Sequence, residues 1–104
     1  MAQFDVYRNP NQAGRRVIPF LMDVQHGILS GLTTRVVAPL AVSEQLGHSA
    51  QRLNPYLRVE DIDLVMMTEH IAAVPRPALG AAVASLAQHR DQIIAALDFL
   101  FVGF

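Results

Sequence analysis

The chain has 104 residues, 52% of them hydrophobic and 16% charged, with no cysteine. That length suits one ordinary domain, residues 1–104, and the apolar share is enough for a packed core and argues against disorder. Net charge is −1, with arginines scattered from Arg8 to Arg90 and no lysine, so no basic stripe forms and nucleic acid is a poor direct partner. The missing cysteine excludes disulfides, thiolate metal sites and cysteine nucleophiles, and fits a reducing compartment. Met1-Ala2-Gln3-Phe4-Asp5 lacks the basic head and apolar stretch of a secretory signal. The longest apolar runs, around Val17–Met22 and Leu97–Phe104, fall far short of the roughly 20 residues that span a bilayer. A soluble cytoplasmic protein is expected.

From Gln3 to Tyr7 apolar and polar residues alternate, predicting a half-buried strand. Asn9–Gly14 is a turn cluster. A second strand is predicted over Arg16–Gln25, with Ile18, Phe20, Met22 and Val24 on one face and Pro19 opposite, at an edge or a bulge. His26–Gly31 reads as a connection around the apolar pair Ile28-Leu29. A third strand is predicted from Thr33 to Leu40, ended by Pro39, then one helical turn over Val42–Leu46 stopped by Gly47. Leu57–Met67 reads as a hairpin turning at Glu60-Asp61, its second arm continuing through Met67-Thr68 towards Ala73 until Pro75 and Pro77 break it.

The last quarter changes period. Val83, Leu86, Arg90, Ile93, Leu97 and Phe101 recur at helical spacing. Ser85-Leu86-Ala87-Gln88 matches a capping box, which predicts a helix from Leu86 to Phe101, ended by Gly103. Short strands followed by one helix make an α+β domain.

Candidate chemistry is sparse. His26, His48, His70 and His89 lack metal-ligand spacing, and Asp61 and Asp63 read as a solvated hairpin face rather than a cation site. There is no phosphate loop and no Gly-x-Ser-x-Gly elbow, so no catalytic residue, cofactor or metal is assigned. The ending Phe99-Leu100-Phe101-Val102-Gly103-Phe104 stands out, because one helical face cannot bury an apolar run that reaches the terminal carboxylate. Either this tail tucks back into the fold or a dimer contact, or it is an exposed apolar tip for a protein partner.

Several segments together carry a resemblance. They are Gln3-Phe4-x-Val6-Tyr7, Asp23-Val24-Gln25, Arg35-x-Val37-x-Pro39-Leu40, Met66-Met67-Thr68, Ala72-x-Val74-Pro75 and Phe101-x-Gly103 followed by one apolar residue. In this order and spacing the chain resembles CcdB-type toxins throughout residues 1–104. The resemblance implies an SH3-like antiparallel β-barrel with a C-terminal α-helix, associating as a homodimer. It implies a non-enzymatic toxin of a toxin–antitoxin pair that binds the gyrase A subunit and traps gyrase on cleaved DNA. A CcdA-like antitoxin, disordered when free, would neutralise it, and the pair would repress its own operon, so DNA is met only indirectly.

Carried over by position, the gyrase-contacting tip falls on Val102, Gly103 and Phe104, supported by Asp98 and Phe101, with His26, Ile28 and Leu29 beside it. The best-known family pattern has Trp where this chain has Val102 and Ile where it has Phe104. The edge around Val42–Leu53 is the expected antitoxin surface. At fold level the chain also resembles MazF-like ribonuclease toxins, for which Arg35, Arg52, Arg58 and His70 would be the available groups. A homologue that binds antitoxin alone is the third reading.

Overall fold

The computed structural model describes residues 2–43 and 52–104. Among these, short apolar segments form seven strands: β1 (Asp5–Arg8), β2 (Phe20–Asp23), β3 (Thr34–Val42), β4 (Tyr56–Val59), β5 (Ile62–Met66), β6 (Ala72–Pro75) and β7 (Ala84–Ser85). One helix, α1 (Arg90–Val102), follows. The order is β4-β5-β3-β2-β1-β7, with β6 paired to the first half of β3. The sheet curls into a nearly closed antiparallel barrel with α1 packed on it, the α+β, SH3-like architecture expected. No helix among the described residues is long and apolar enough to cross a membrane.

β3 runs through Pro39 instead of ending there, and the reason is a change of partner. Residues 34–37 pair with β6, whereas residues 40–42 pair with β5. Along the other edge, the Val24 N–H bond to the Val36 carbonyl sets the hydrogen-bonding phase, so Leu21↔Pro39 is a non-bonded pair. The missing proline N–H therefore faces Met67, just past the end of β5, whose carbonyl is taken instead by the His70 N–H at 2.9 Å. Pro39 still contributes its carbonyl, which accepts the Met67 N–H at 2.9 Å.

Other expected boundaries move for equally local reasons. β1 starts at Asp5 because Phe4 is left-handed (φ 73°), its N–H donating to Asp23 and its carbonyl accepting from Leu86. That conformation costs about 1–2 kcal/mol for a residue with a Cβ. Burial of the Phe4 ring in the main core returns a comparable amount, about 1.5–3 kcal/mol. β2 shortens to Phe20–Asp23 because the buried Asn9 side chain donates to the Ile18 carbonyl and holds the preceding segment in a turn. Ile18 thereby leaves the Phe20 face, and Pro19 lies just ahead of a strand paired on both edges, not in an edge strand or a bulge.

The hairpin at Glu60-Asp61 forms as expected, both residues adopting positive φ (52° and 64°) without a glycine. Its second arm stops at Met66, because Thr68–His70 coil into a 3-10 turn before β6 begins. The buried Thr68 hydroxyl donates to the Leu53 carbonyl there. Val42 lies in β3 and Ser43 directly follows it, whereas residues 44–46 of the expected Val42–Leu46 turn, with Gly47, fall outside the described residues.

The capping box is not made. Ser85 belongs to β7, paired with Asp5, and its Oγ accepts only the Ala87 N–H at 3.3 Å. Ala87–His89 form a 3-10 turn, so α1 starts at Arg90, four residues later than predicted.

Two cores result. Phe20, Met22, Leu40, Leu64, Leu86 and Ile93 fill the barrel beneath α1. Tyr7, Leu21, Val37 and Leu79 form a smaller cluster of their own, packed against Ile18 and Val74. β1 is thus buried on both faces rather than half-buried, Val6 belonging to one cluster and Tyr7 to the other. At the hairpin turn, Asp61→Gly removes the left-handed strain on an exposed side chain and is expected to stabilise the fold by about 0.5–1 kcal/mol, read as a higher urea midpoint at unchanged slope.

Candidate functional site

The helix end exposes a run of apolar residues. Ile93 and Ala96 are its buried residues, with Ile94 and Leu97 half-buried on the main core. Beyond them, Phe101 is 69% exposed, Val102 59% and Phe104 80%. The tail therefore does not tuck back into the barrel, and Phe101 leaves the buried stripe the sequence predicts for it. Asp98 is exposed one turn before Val102, on the same side by the i, i+4 rule.

Gly103 ends the helix as expected. It takes the left-handed conformation (φ 82°) while its N–H donates to the Phe99 carbonyl at 3.0 Å. A side chain at this position would meet no neighbour, so the demand for glycine is conformational and not steric.

The connection after β2 is the second exposure. Gly27–Leu29 form a 3-10 turn whose Ile28 N–H donates to His26 Nδ1 at 3.0 Å. Imidazole as N-cap leaves Ile28 82% exposed, with Leu29 and Leu32 also in solvent. Such apolar exposure at both a helix end and a loop is what partner-binding surfaces show.

Beneath this loop lies a fully buried ion pair. Arg35 Nε donates to Asp23 Oδ2 at 2.8 Å, and its Nη2 donates to Asp23 Oδ1 at 3.0 Å and to the Gln25 carbonyl at 2.8 Å. Asp23 Oδ1 also accepts the Gln25 N–H at 2.9 Å. The Gln25 side chain completes the frame, accepting from the Val36 N–H and donating to the carbonyls of Thr34 and Leu29. From the far side, Arg76 donates to the Ser30 carbonyl at 2.8 Å. The Arg35 Nη1 atom is buried with no partner among the described residues.

Tyr7 packs nearby, and its phenol is pushed above the ordinary tyrosine range by burial first, then by the charges of Asp5 and Asp23, with Arg35 acting against them.

Among the described residues no hydrogen bond or ion pair joins the loop to the tip. The loop hangs from Asp23, Gln25, Arg35 and Arg76, whereas the tip depends on the helix end. Sequence reasoning missed the ion pair, although its signal was present. Asp23 and Arg35 are charges placed inside apolar strands, twelve positions apart across one turn. The arrangement also removes Arg35 from any nucleic-acid groove of the ribonuclease kind, since neither side chain of the pair reaches water. Arg52 lies over the Phe99 ring, Arg58 sits on the hairpin and His70 on the 3-10 turn.

These features define a class: an SH3-like barrel carrying a C-terminal helix that ends in a bare apolar tip. The chain belongs to the CcdB family, whose family model, described as CcdB protein, matches residues 3–103. Membership supports a toxin of a toxin–antitoxin pair that acts by binding.

Removing one partner of the buried pair should be severe. Arg35→Met strands the Asp23 carboxylate and is expected to cost about 3–5 kcal/mol in chemical denaturation, most of it recovered in the Asp23→Leu/Arg35→Met double variant. Tyr7 supplies a pH test. Its raised value means the folded state keeps the phenol proton longer than the unfolded state, so its contribution is complete below about pH 10 and is lost as pH rises through the folded value. With no lysine in the chain, the alkaline fall in stability should shrink in Tyr7→Phe, measured by urea midpoints between about pH 9 and 11.

Proposed function

We propose that this toxin binds the gyrase A subunit through Val102, Gly103 and Phe104 and traps gyrase on cleaved DNA, until a CcdA-like antitoxin removes it. The observation that carries the reading is the bare helix end, where Phe101, Val102 and Phe104 expose apolar surface around a glycine held at positive φ. In a homodimer the two tips would enter the cleft between gyrase A subunits, flanked by His26, Ile28 and Leu29 and backed by Asp98 and Phe101. Gly103 lets the chain leave the helix axis, and Phe104 projects beyond it.

Energetics favour this use of the tip. An exposed phenylalanine gains about 1.5–3 kcal/mol when a partner buries it fully. Val102 offers less area than the Trp of the best-known family pattern, and the Phe104 ring supplies the aromatic face from two positions on. Poisoning requires only differential binding. A toxin that prefers the open, DNA-cleaved state over the resealed one shifts gyrase towards the cut complex by the ratio of its two affinities. No bond of the toxin changes.

The test mixes the purified protein with gyrase, ATP and supercoiled plasmid, then quenches with detergent. Linear DNA should accumulate with the full chain and disappear when residues 102–104 are deleted, with the barrel and dimer unchanged by circular dichroism and sedimentation. Continued cleavage by the shortened chain would defeat the tip assignment. Absence of both linear DNA and gyrase binding with the full chain would defeat the target assignment, and RNA cleavage would then separate a ribonuclease from a homologue that only binds antitoxin.

A further inference from the structure

The last helical turn has few anchors of its own. Beyond Leu97 only Phe99 and Leu100 are even half-buried, and the turn carries no basic residue to complement the negative end of the helix dipole. A cation reaches it from elsewhere. The Arg52 guanidinium lies over the Phe99 ring, 4.4 Å from the centroid, well within cation–π range. Phe99 is also the residue whose carbonyl receives the Gly103 N–H at 3.0 Å and so closes the left-handed cap. One residue is therefore stacked on its side chain and bonded on its backbone at the point where the chain turns away from the helix.

The base from which Arg52 reaches is itself fixed. The next carbonyl, that of Leu53, accepts the buried Thr68 hydroxyl. The buried Asn54 donates to the Met66 carbonyl at 3.1 Å and to Glu69 Oε1 at 2.7 Å. The bonds to Thr68 and Glu69 tie residues 53–54 to the 3-10 turn on which α1 packs, and the third ties them to β5. A continuous path runs from that turn through Arg52 to Phe99, to the Gly103 cap, and so to Val102 and Phe104.

We infer that Arg52 is a positioning residue for the C-terminal tip: it acts by holding the final turn of α1 through the Phe99 ring. The inference that this matters for target binding rests on the reading of the tip as the gyrase-binding element. The ordering of the tip does not. Fraying of a helix end opens its terminal amides first, so hydrogen exchange reads the effect directly. An exposed cation–π contact corresponds to about a two- to fivefold change in the opening equilibrium.

The experiment follows amide exchange by NMR on the full chain. Arg52→Gln is expected to speed exchange at Val102 and Gly103 about two- to fivefold while leaving Ile93 unchanged. Phe99→Leu, which keeps apolar bulk and removes the ring, should do the same. The double variant should open no further than either single variant, and Arg52→Lys, which keeps the cation, should restore most of the protection. Arg52 is exposed, so loss of the fold is not the expected result, and the Ile93 amide reports it if it occurs.

Unchanged exchange at Val102 and Gly103 in Arg52→Gln, or additive effects in the double variant, would overturn the inference. Gyrase affinity, measured in parallel, should fall by the same factor in Arg52→Gln. Faster exchange with full gyrase affinity would overturn the link from tip order to binding. Failure of the unaltered chain to bind gyrase would overturn the target reading, and the exchange data would still decide the role of Arg52.

Discussion

A carboxylate and a guanidinium with no access to water sit against each other between β2 and β3, and much of the molecule is arranged to keep them satisfied. Desolvating two charges costs several kcal/mol per ion, and the attraction between them repays it only when geometry and further hydrogen bonds are good. Asp23 and Arg35 meet in a two-pronged pair, and Gln25 supplies a carbonyl and an N–H to the same cluster. A one-residue slip of β2 against β3 would turn the Asp23 carboxylate to the barrel face and part it from Arg35. The pair therefore selects a register more than it adds stability, an account consistent with Arg35 Nη1 having no partner among the described residues.

The same cluster links core to surface. Gln25 and Arg35 grip both ends of the His26–Leu32 connection, so the loop can hold Ile28 and Leu29 in solvent without collapsing onto the barrel. The helix end obeys a parallel logic. Its apolar residues stay outside because the barrel has spent its buried positions on Ile93 and Ala96, one and two turns earlier, and the left-handed glycine directs the chain away from the sheet. In both places a hydrogen-bonded base supports apolar side chains that are exposed among the described residues. That combination suits a protein whose task is to hold on to another.

Legibility followed the range of the forces. The Leu57–Met66 hairpin was readable because alternation and the acidic turn are local, and the Gly103 stop was readable because positive φ is a property of one residue. Pro39 misled, since a proline interrupts a ladder only on the side where a donor is required, and that side is set by strands distant in sequence. The capping box at Ser85 failed for a similar reason: pairing with Asp5 claimed Ser85 for the sheet before the helix could use it. Of the site residues, the exposed tip and loop were named from resemblance and from the apolar ending. The Arg52–Phe99 contact had no signature, because its two residues lie 47 positions apart and join only when α1 docks.

By itself the sequence determined an α+β chain of short strands with one C-terminal helix, a glycine-terminated apolar ending and kinship with CcdB-type toxins. These rest on periodicity, on single-residue backbone preferences and on the order of short motifs, all of which act within a few positions of the chain. Only the tertiary structure decided that two arginines of the same composition have opposite fates. Arg35 is sealed against Asp23, and Arg52 lies exposed across an aromatic ring at the tip. Burial and partner choice are long-range quantities: they depend on which strand lies next to which, and no local pattern carries that information.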